Sequence, residues 1–359
     1  MTFKSRVTLL VSGAVIFFIL APAAIFFARG FRYDFSQRRV VKTGTLVIKT
    51  DPRGAQVTLS NQKLSGSTPL TKRFLVPGEY SVEITKPGYY PWQKKIAIYS
   101  QEVFYLPQAP VPKIPLFLET TQAAVIATST QDFFLQKDSV YYLSGQMIYR
   151  SDIQGKNPTL AATTTSISLD SQVLHLANNN ETGKNYWIDS KTRMLGFTNS
   201  AGEKTNLLSA PLPEFKQSKI ILSSDKQVFL LLDNDLYQVK ETLKKIASGV
   251  AYASWNNELP GLVYGNSHEI WLYNPEKEQK ILVTRSLKTL GEAQYNGKTG
   301  YLFVVEDQKL KGIEFDSLGQ PNIYTLFETK TSNPKFALDS DGTYLLILDG
   351  PDLISLKIR

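Results

Sequence analysis

Residues 218–240 read SKIILSSDKQVFLLLDNDLYQVK, and their order decides the fold. Ile220, Ile221 and Leu222 make one apolar run and Val228 to Leu232 a second, with the polar turn Ser223-Ser224-Asp225-Lys226 between them. Asp233-Asn234-Asp235 then reverses the chain into Leu236-Tyr237-Gln238-Val239, a strand with an aromatic and a polar tail. Short apolar runs bounded by Ser, Asp and Asn are strands joined by tight turns. The same grammar returns in DFFLQKDSVYYLSGQMIYRSD (132–152), SQVLHLANNNETGKNYWIDS (171–190) and AYASWNNELPGLVYGNSHEIWLYNP (251–275). It returns again in TGYLFVVEDQKLKGIEFD (299–316) and KFALDSDGTYLLILDGPDLISLKI (335–358), and includes Ile270-Trp271-Leu272-Tyr273-Asn274 and the turn Asp339-Ser340-Asp341-Gly342. Equivalent points lie roughly 35 to 55 residues apart, the spacing of four-stranded propeller blades.

Six such clusters predict six blades over residues 119–359, or seven if residues 99–130 contribute strands. No amphipathic helix of three turns interrupts them. A pair of β-sandwiches is the alternative architecture, but radial repetition hides sheet edges that would otherwise aggregate. The repeats resemble the divergent WD40-like or TolB-like propeller repeats of bacterial envelope proteins.

Toward the N-terminus, LPQAPVPKIPLFL places prolines at 107, 110, 112 and 115, which predicts a stiff extended linker over 107–118. Before it, residues 44–106 alternate with period two: Leu46 and Ile48, Val57 and Leu59, Tyr80, Val82 and Ile84, Ile96 and Ile98. Asp51-Pro52-Arg53-Gly54, Ser60-Asn61-Gln62-Lys63, Pro77-Gly78 and Lys86-Pro87-Gly88 supply the turns, so an antiparallel sandwich of five to six strands is expected. Pro69 and Pro91 read as strand starts or edges. The runs TLVIKTDPRGAQVTL (45–59) and STPLTKRFLVPGEYSVEITKPGYYPWQKKI (67–96) resemble the PEGA domain of bacterial surface proteins. Pro52-Arg53-Gly54-Ala55 stands where that family has Pro-Glu-Gly-Ala, so a role needing the acid is in doubt. The resemblance implies an exported β-sandwich that spaces or binds and has no catalytic residues. Trp92 with Tyr89 is either an aromatic sugar platform or core packing, and a small domain needs large side chains for its core.

Val7 to Ala28, VTLLVSGAVIFFILAPAAIFFA, is about 22 residues without a charge, enough to cross a hydrocarbon layer as a helix. The expected order is a tail and helix over 1–30, a juxtamembrane linker over 31–43 and then the sandwich, with the lipid bilayer as the partner of residues 7–28. Phe31, Tyr33 and Phe35 fall where an aromatic belt would meet headgroups. Lys4 and Arg6 before the run and Ala21-Pro22-Ala23 within it also fit a cleaved signal peptide, although cleavage there leaves an apolar new terminus. Of the formal +8, most sits at the front: Lys4, Arg6, Arg29, Arg32, Arg38, Arg39 and Lys42 face the single Asp34 within the first 42 residues. The body is nearly neutral, which argues against a nucleic-acid partner. Basic residues flank both ends of the helix, and by that bias alone the body lies in the cytoplasm. The very short preceding tail and the exported resemblance place it outside, and an extracytoplasmic body on a single-pass cell-membrane protein is expected.

The chain has no cysteine and two histidines, His175 and His268, far apart in sequence. No HExxH, CxxC, GxSxG, Walker or GxGxxG pattern is present, so catalytic, cofactor-binding and metal residues are all expected to be none, and no cofactor is expected. Asp233 with Asp235 and Asp339 with Asp341 are the nearest carboxylate pairs for glycosidic chemistry, yet Asp-Asn-Asp and Asp-Ser-Asp-Gly between strands are ordinary hairpin turns. Asp339-Ser340-Asp341-Gly342 also falls short of a calcium loop. The sequence therefore predicts a non-catalytic membrane-anchored bacterial surface or envelope protein whose propeller binds an extracytoplasmic protein or glycan. The alternatives are a propeller glycosidase or lyase, or a structural spacer in envelope assembly.

Overall fold

Leu10–Ala28 is a run of 19 residues without a charged side chain, and in the computed structural model of the chain it lies within one helix, Phe3–Ala28, that contains Pro22. Among the described residues the run is long and apolar enough to cross a membrane, and none of it is buried. The structure describes residues 3–359 except 35–37, 109–110, 137–138, 146, 164–172, 180–183, 190, 200, 224–226, 257–258, 260, 317 and 333. The chain forms two units, residues 1–116 with Ser317–Asn322, and residues 117–316 with 323–359.

After the helix, Phe31–Asp34 and Arg39–Lys42 make a hairpin, and the sandwich follows. One sheet runs in the order Val103–Leu106, Gly44–Ile48, Leu70–Leu75, the other Gln62–Ser67, Gln56–Leu59, Gly78–Lys86, Tyr89–Ile98. These are seven strands rather than five or six, because Gln62–Ser67 and Leu70–Leu75 each turn one residue fully inward, Leu64 and Leu75, and so show no alternation. The sandwich is also not wholly antiparallel: Val103–Leu106 pairs parallel to Gly44–Ile48 after the chain crosses from the other sheet. Trp92, 1% exposed, fills the core with Leu46, Ile48, Val57, Ile84 and Ile98, and Tyr89 packs against them, which is the packing role and not a platform. Pro91 lies on Tyr89–Ile98, an edge strand of its sheet. The proline-rich stretch 107–118 is not all linker. Ile114–Pro115 pairs parallel with Thr50–Asp51, and Ile114 and Leu116 are buried in the sandwich core, because these two apolar side chains gain more by burial than by exposure.

The second unit contains, among the described residues, six four-stranded antiparallel sheets. The first is Thr130–Gln136, Ser139–Ser144, Met147–Asp152 and Thr159–Thr163; the second Val173–Asn179, Lys184–Asp189, Leu195–Thr198 and Lys204–Asn206. The third is Ser218–Leu222, Val228–Leu232, Asp235–Val239 and Leu243–Ser248; the fourth Tyr252–Asn256, Gly261–Gly265, Glu269–Asn274 and Gln279–Arg285. The fifth is Leu290–Asn296, Tyr301–Glu306, Lys309–Glu314 and Ile323–Glu328. The sixth joins Lys335–Leu338, Tyr344–Asp349 and Asp352–Lys357 to Gln122–Ala127, so the strand that residues 99–130 supply to this unit closes the last sheet. From the second sheet to the sixth, successive first strands pack side by side, and the first sheet meets the sixth through Phe133, Val140, Tyr142, Leu346 and Leu353. Apolar faces meet between neighbours, as with Phe229, Leu231, Leu236, Leu262 and Tyr264 between the third and fourth. Each fully buried Leu or Phe contributes roughly 1.5–3 kcal/mol, so these faces hold the radial stack. This is the propeller expected from the repeats.

The polar grammar has a mechanical cause. Where the first strand turns into the second, Ser223, Asn256, Asn296 and Asp339 each accept a backbone N–H a few residues on, from Gln227, Leu259, Thr299 and Thr343. Asp152, Asn199 and Asn274 cap later turns in the same way. Ser224, Asp225 and Lys226 of the turn in the opening stretch lie outside the described residues. Two of the amides also reach the next sheet: Asn256 Nδ2 donates to Tyr295 O at 2.8 Å and Asn296 Nδ2 to Asp339 O at 3.4 Å. A carboxylate could cap but not donate. Asn256→Asp should therefore cost about 1–3 kcal/mol and lose part of that cost below pH ~4, where the acid regains a proton. Asn274→Asp, on an exposed turn, should stay within about 0.5 kcal/mol. Denaturant melts at both pH values measure the difference, and equal costs for the two variants would refute the tie.

Candidate functional site

The first strands of the second to sixth sheets pack side by side, which sets them nearest the propeller axis. Lys219 on the third sheet and Glu292 on the fifth approach to 4.0 Å, so they meet in front of the intervening fourth sheet, on the axial side. Lys335 on the sixth pairs with Asp132 on the first, and Asp132 also accepts its neighbour's N–H, Phe133 N, at 2.8 Å. Gln294 Nε2 donates to Phe336 O at 2.7 Å, from the fifth sheet to the sixth. The axial side is thus a partly exposed, mixed-sign surface to which the first, third, fifth and sixth sheets contribute. Burial, with the Glu292 charge adding to it, pushes the Tyr252 phenol far up, so it stays a neutral hydroxyl.

A second concavity, about 310 Å³, lies between the third and fourth sheets and is lined by Gly249, Tyr264, Asn266, Glu269, Trp271 and Lys280. Trp271 packs one side on the inter-sheet core, and its indole N–H donates to Glu269 Oε2 at 3.0 Å. That bond, then Arg285 at 2.6 Å, holds the Glu269 carboxyl below the usual carboxylate range. Burial pushes the Tyr264 phenol to about 12. A fixed indole edge beside a charged carboxylate and backbone polar groups can seat a polar ligand with an apolar face.

The sequence candidates are placed as follows. Asp233 sits in the hairpin between the second and third strands of its sheet and accepts Lys216 N and Gln217 N, each at 2.9 Å. Asp235 takes a bond from Lys245 that lowers its pKa. Asp339 caps its turn through Thr343 N at 2.7 Å and Tyr344 N at 2.9 Å, and its burial raises its pKa, while Lys298 lowers that of Asp341. All four carboxylates are engaged in turns or surface pairs. His268 is exposed in its turn with Nδ1 at 2.8 Å from Ser267 Oγ. His175 lies on a strand opposite Ile188, and its side chain falls outside the described residues. Among the described residues no three of His, Asp and Glu are grouped to hold a metal ion. Sequence reasoning passed over Lys219, Glu292 and the Trp271 groove. No local signal marks them, because Lys219 and Glu292 lie on strands far apart in sequence.

The elements define a two-unit β protein with one N-terminal apolar helix, a small sandwich and a propeller. Residues 43–109 match the PEGA domain family, so the sandwich is a PEGA domain. A search of curated proteins finds no significant match. Among solved structures, a gluconolactonase from Xanthomonas campestris is 11% identical with a TM-score of 0.39, covering 68% of this chain and 91% of its own. A streptogramin B lyase is 12% identical with a TM-score of 0.37, covering 67% and 98%. The extracellular domain of a hybrid two-component system protein from Bacteroides thetaiotaomicron is 10% identical with a TM-score of 0.43, covering 87% and 39%. The six sheets and their packing define the propeller without these likenesses.

Two measurements follow from the site. Lys219 and Glu292 have side chains 45% and 38% exposed, so a Lys219→Met, Glu292→Gln double-mutant cycle should give a coupling under about 1 kcal/mol. A coupling several times larger would make the pair structural rather than available to a ligand. Because the folded protein raises the Asp339 pKa, the folded state binds more protons than the unfolded chain, and stability falls as pH rises through the carboxylate range. Asp339→Asn keeps the acceptor oxygen, so it should be at least as stable as the parent at pH 7 and lose that advantage near pH 3. A variant clearly less stable at pH 7 would contradict the buried-charge account.

Proposed function

We propose that this chain is a membrane-anchored bacterial cell-surface or envelope protein whose propeller binds an extracytoplasmic protein or glycan without catalysing a reaction. The observation that carries it is the exposed 19-residue apolar run of the helix that comes before the PEGA domain, since such domains occur in extracellular proteins. The mixed-sign axis and the Trp271 groove are suited to polar, hydrogen-bonding partners, whereas a polyanion would call for one dominant sign of charge. The carboxylates of the sequence candidates already serve turns and ion pairs, which supports binding over catalysis.

A second reading, a propeller glycosidase or lyase, draws on the opposite shifts of Asp339 and Asp341, because acid and base roles need such a split. Both residues belong to one short turn, and Asp339 spends one oxygen on two backbone donors, so the binding reading is preferred.

Protease shaving of intact cells carrying a C-terminally tagged chain decides sidedness. Loss of the tag is the expected result. A tag that survives until the cells are broken places the body in the cytoplasm and ends the surface-protein reading.

A further inference from the structure

The end of the helix is clamped to the PEGA unit. Thr43 N and Thr43 Oγ1 donate to Gly30 O at 3.0 and 2.8 Å, which carries the first hairpin's pairing up to the residues that end the helix. Arg32 donates to Phe27 O at 3.0 Å and Phe31 O at 2.7 Å, and its guanidinium lies 3.3 Å from the Phe27 ring and 4.2 Å from the Phe74 ring. Phe27 belongs to the helix and Phe74 to the sandwich strand Leu70–Leu75, so one cation joins the two. Phe74 is the odd residue: it has φ +64°, a region disfavoured for an aromatic, and is 48% exposed. The backbone is bent to hold an aromatic outward beside the helix end.

Other apolar side chains gather beside it. Lys42 Nζ donates to Gln101 Oε1 at 2.9 Å and Gln101 N to Thr43 O at 3.1 Å, which brings the turn at 99–102 against the hairpin. Tyr33, Tyr99 and Val103 there are 49%, 59% and 49% exposed, and the exposed Arg29 and Arg39 lie on the same short stretch of chain. Exposed aromatics mixed with cations at the end of an apolar helix are the composition of a headgroup layer contact.

We propose that this collar of the PEGA unit is bedded in the headgroups of the bilayer that the helix crosses, with Phe74, Tyr99 and Val103 as interfacial anchors and Arg29 and Arg39 on anionic lipid phosphates. The occupant is the bilayer rather than a second copy, because the surface is continuous with the helix and its charge is positive. The collar rests on the membrane-crossing reading of the helix and sets the distance of the PEGA unit from the lipid.

The chain has no cysteine, so single-site labelling needs no background removal. The full chain is placed in nanodiscs of phosphatidylcholine with phosphatidylglycerol, with an environment-sensitive dye at Phe74→Cys, Val103→Cys, Lys63→Cys or Ile16→Cys. Headgroup-labelled quencher lipids should quench the dyes at 74 and 103 several-fold more than the dye at 63, and acyl-chain quenchers should quench the dye at 16. The Val103 site keeps the test valid if the Phe74 substitution loosens the Arg32 clamp. Quenching at 16 with 74 and 103 no different from 63 overturns the collar and leaves the helix reading intact. No quenching at 16 removes both.

Discussion

The propeller depends on one pairing between distant parts of the chain, Gln122–Ala127 against Asp352–Lys357. Without it the sixth sheet lacks its outer strand and the stack has free ends. The pairing is reinforced at both margins: Leu118 N donates to Ile358 O at 3.0 Å, and Thr130 N to Pro351 O at 2.9 Å. Phe117, fully buried, stacks edge-on to Tyr301 at 4.8 Å and so fixes the strand's approach. The Thr130 bond repeats within the ring, since Val250 N donates to Asn234 O, Leu290 N to Ser267 O and Thr329 N to Gln308 O. In each case the chain leaving one sheet is stapled to that sheet's second hairpin. Closure therefore uses the same joint as the other steps, made between the two ends of the unit.

Given that frame, most polar side chains have structural work. Asn and Asp cap turns, amides tie one sheet to the next, and Asp349, 1% exposed, accepts Lys330 N, Thr331 N and Thr331 Oγ1. Such engagement explains why carboxylate pairs that catch the eye in sequence do not converge. The axial charges and the Trp271 groove are places where polar groups stay partly in water, and these are the surfaces the proposed binding role would use.

Much of the fold was legible because its signal is local. Period-two burial, short turns and the spacing of clusters are properties of consecutive residues, and they pointed to both the sandwich and the propeller. Elements without a local signal were misread. Gln62–Ser67 and Leu70–Leu75 each bury one side chain, Ile114–Pro115 hides in a proline run, and the parallel pairing of Val103–Leu106 is visible only in three dimensions. The site was illegible for the same reason. Lys219 in SKIIL and Glu292 in LGEAQYN are unremarkable in their own strands and acquire meaning only when the third and fifth sheets face one axis. Phe74 and Arg32 likewise meet across the chain, and nothing near Phe74 in sequence signals its positive φ.

The membrane anchor is the claim on which the surface role stands. Alkaline carbonate extraction of membranes carrying the full chain tests it most directly. The protein should remain in the membrane pellet and keep its full length. Recovery in the supernatant, or as a species shortened near Ala21-Pro22-Ala23, would show that the helix is peripheral or removed and would contradict the anchor.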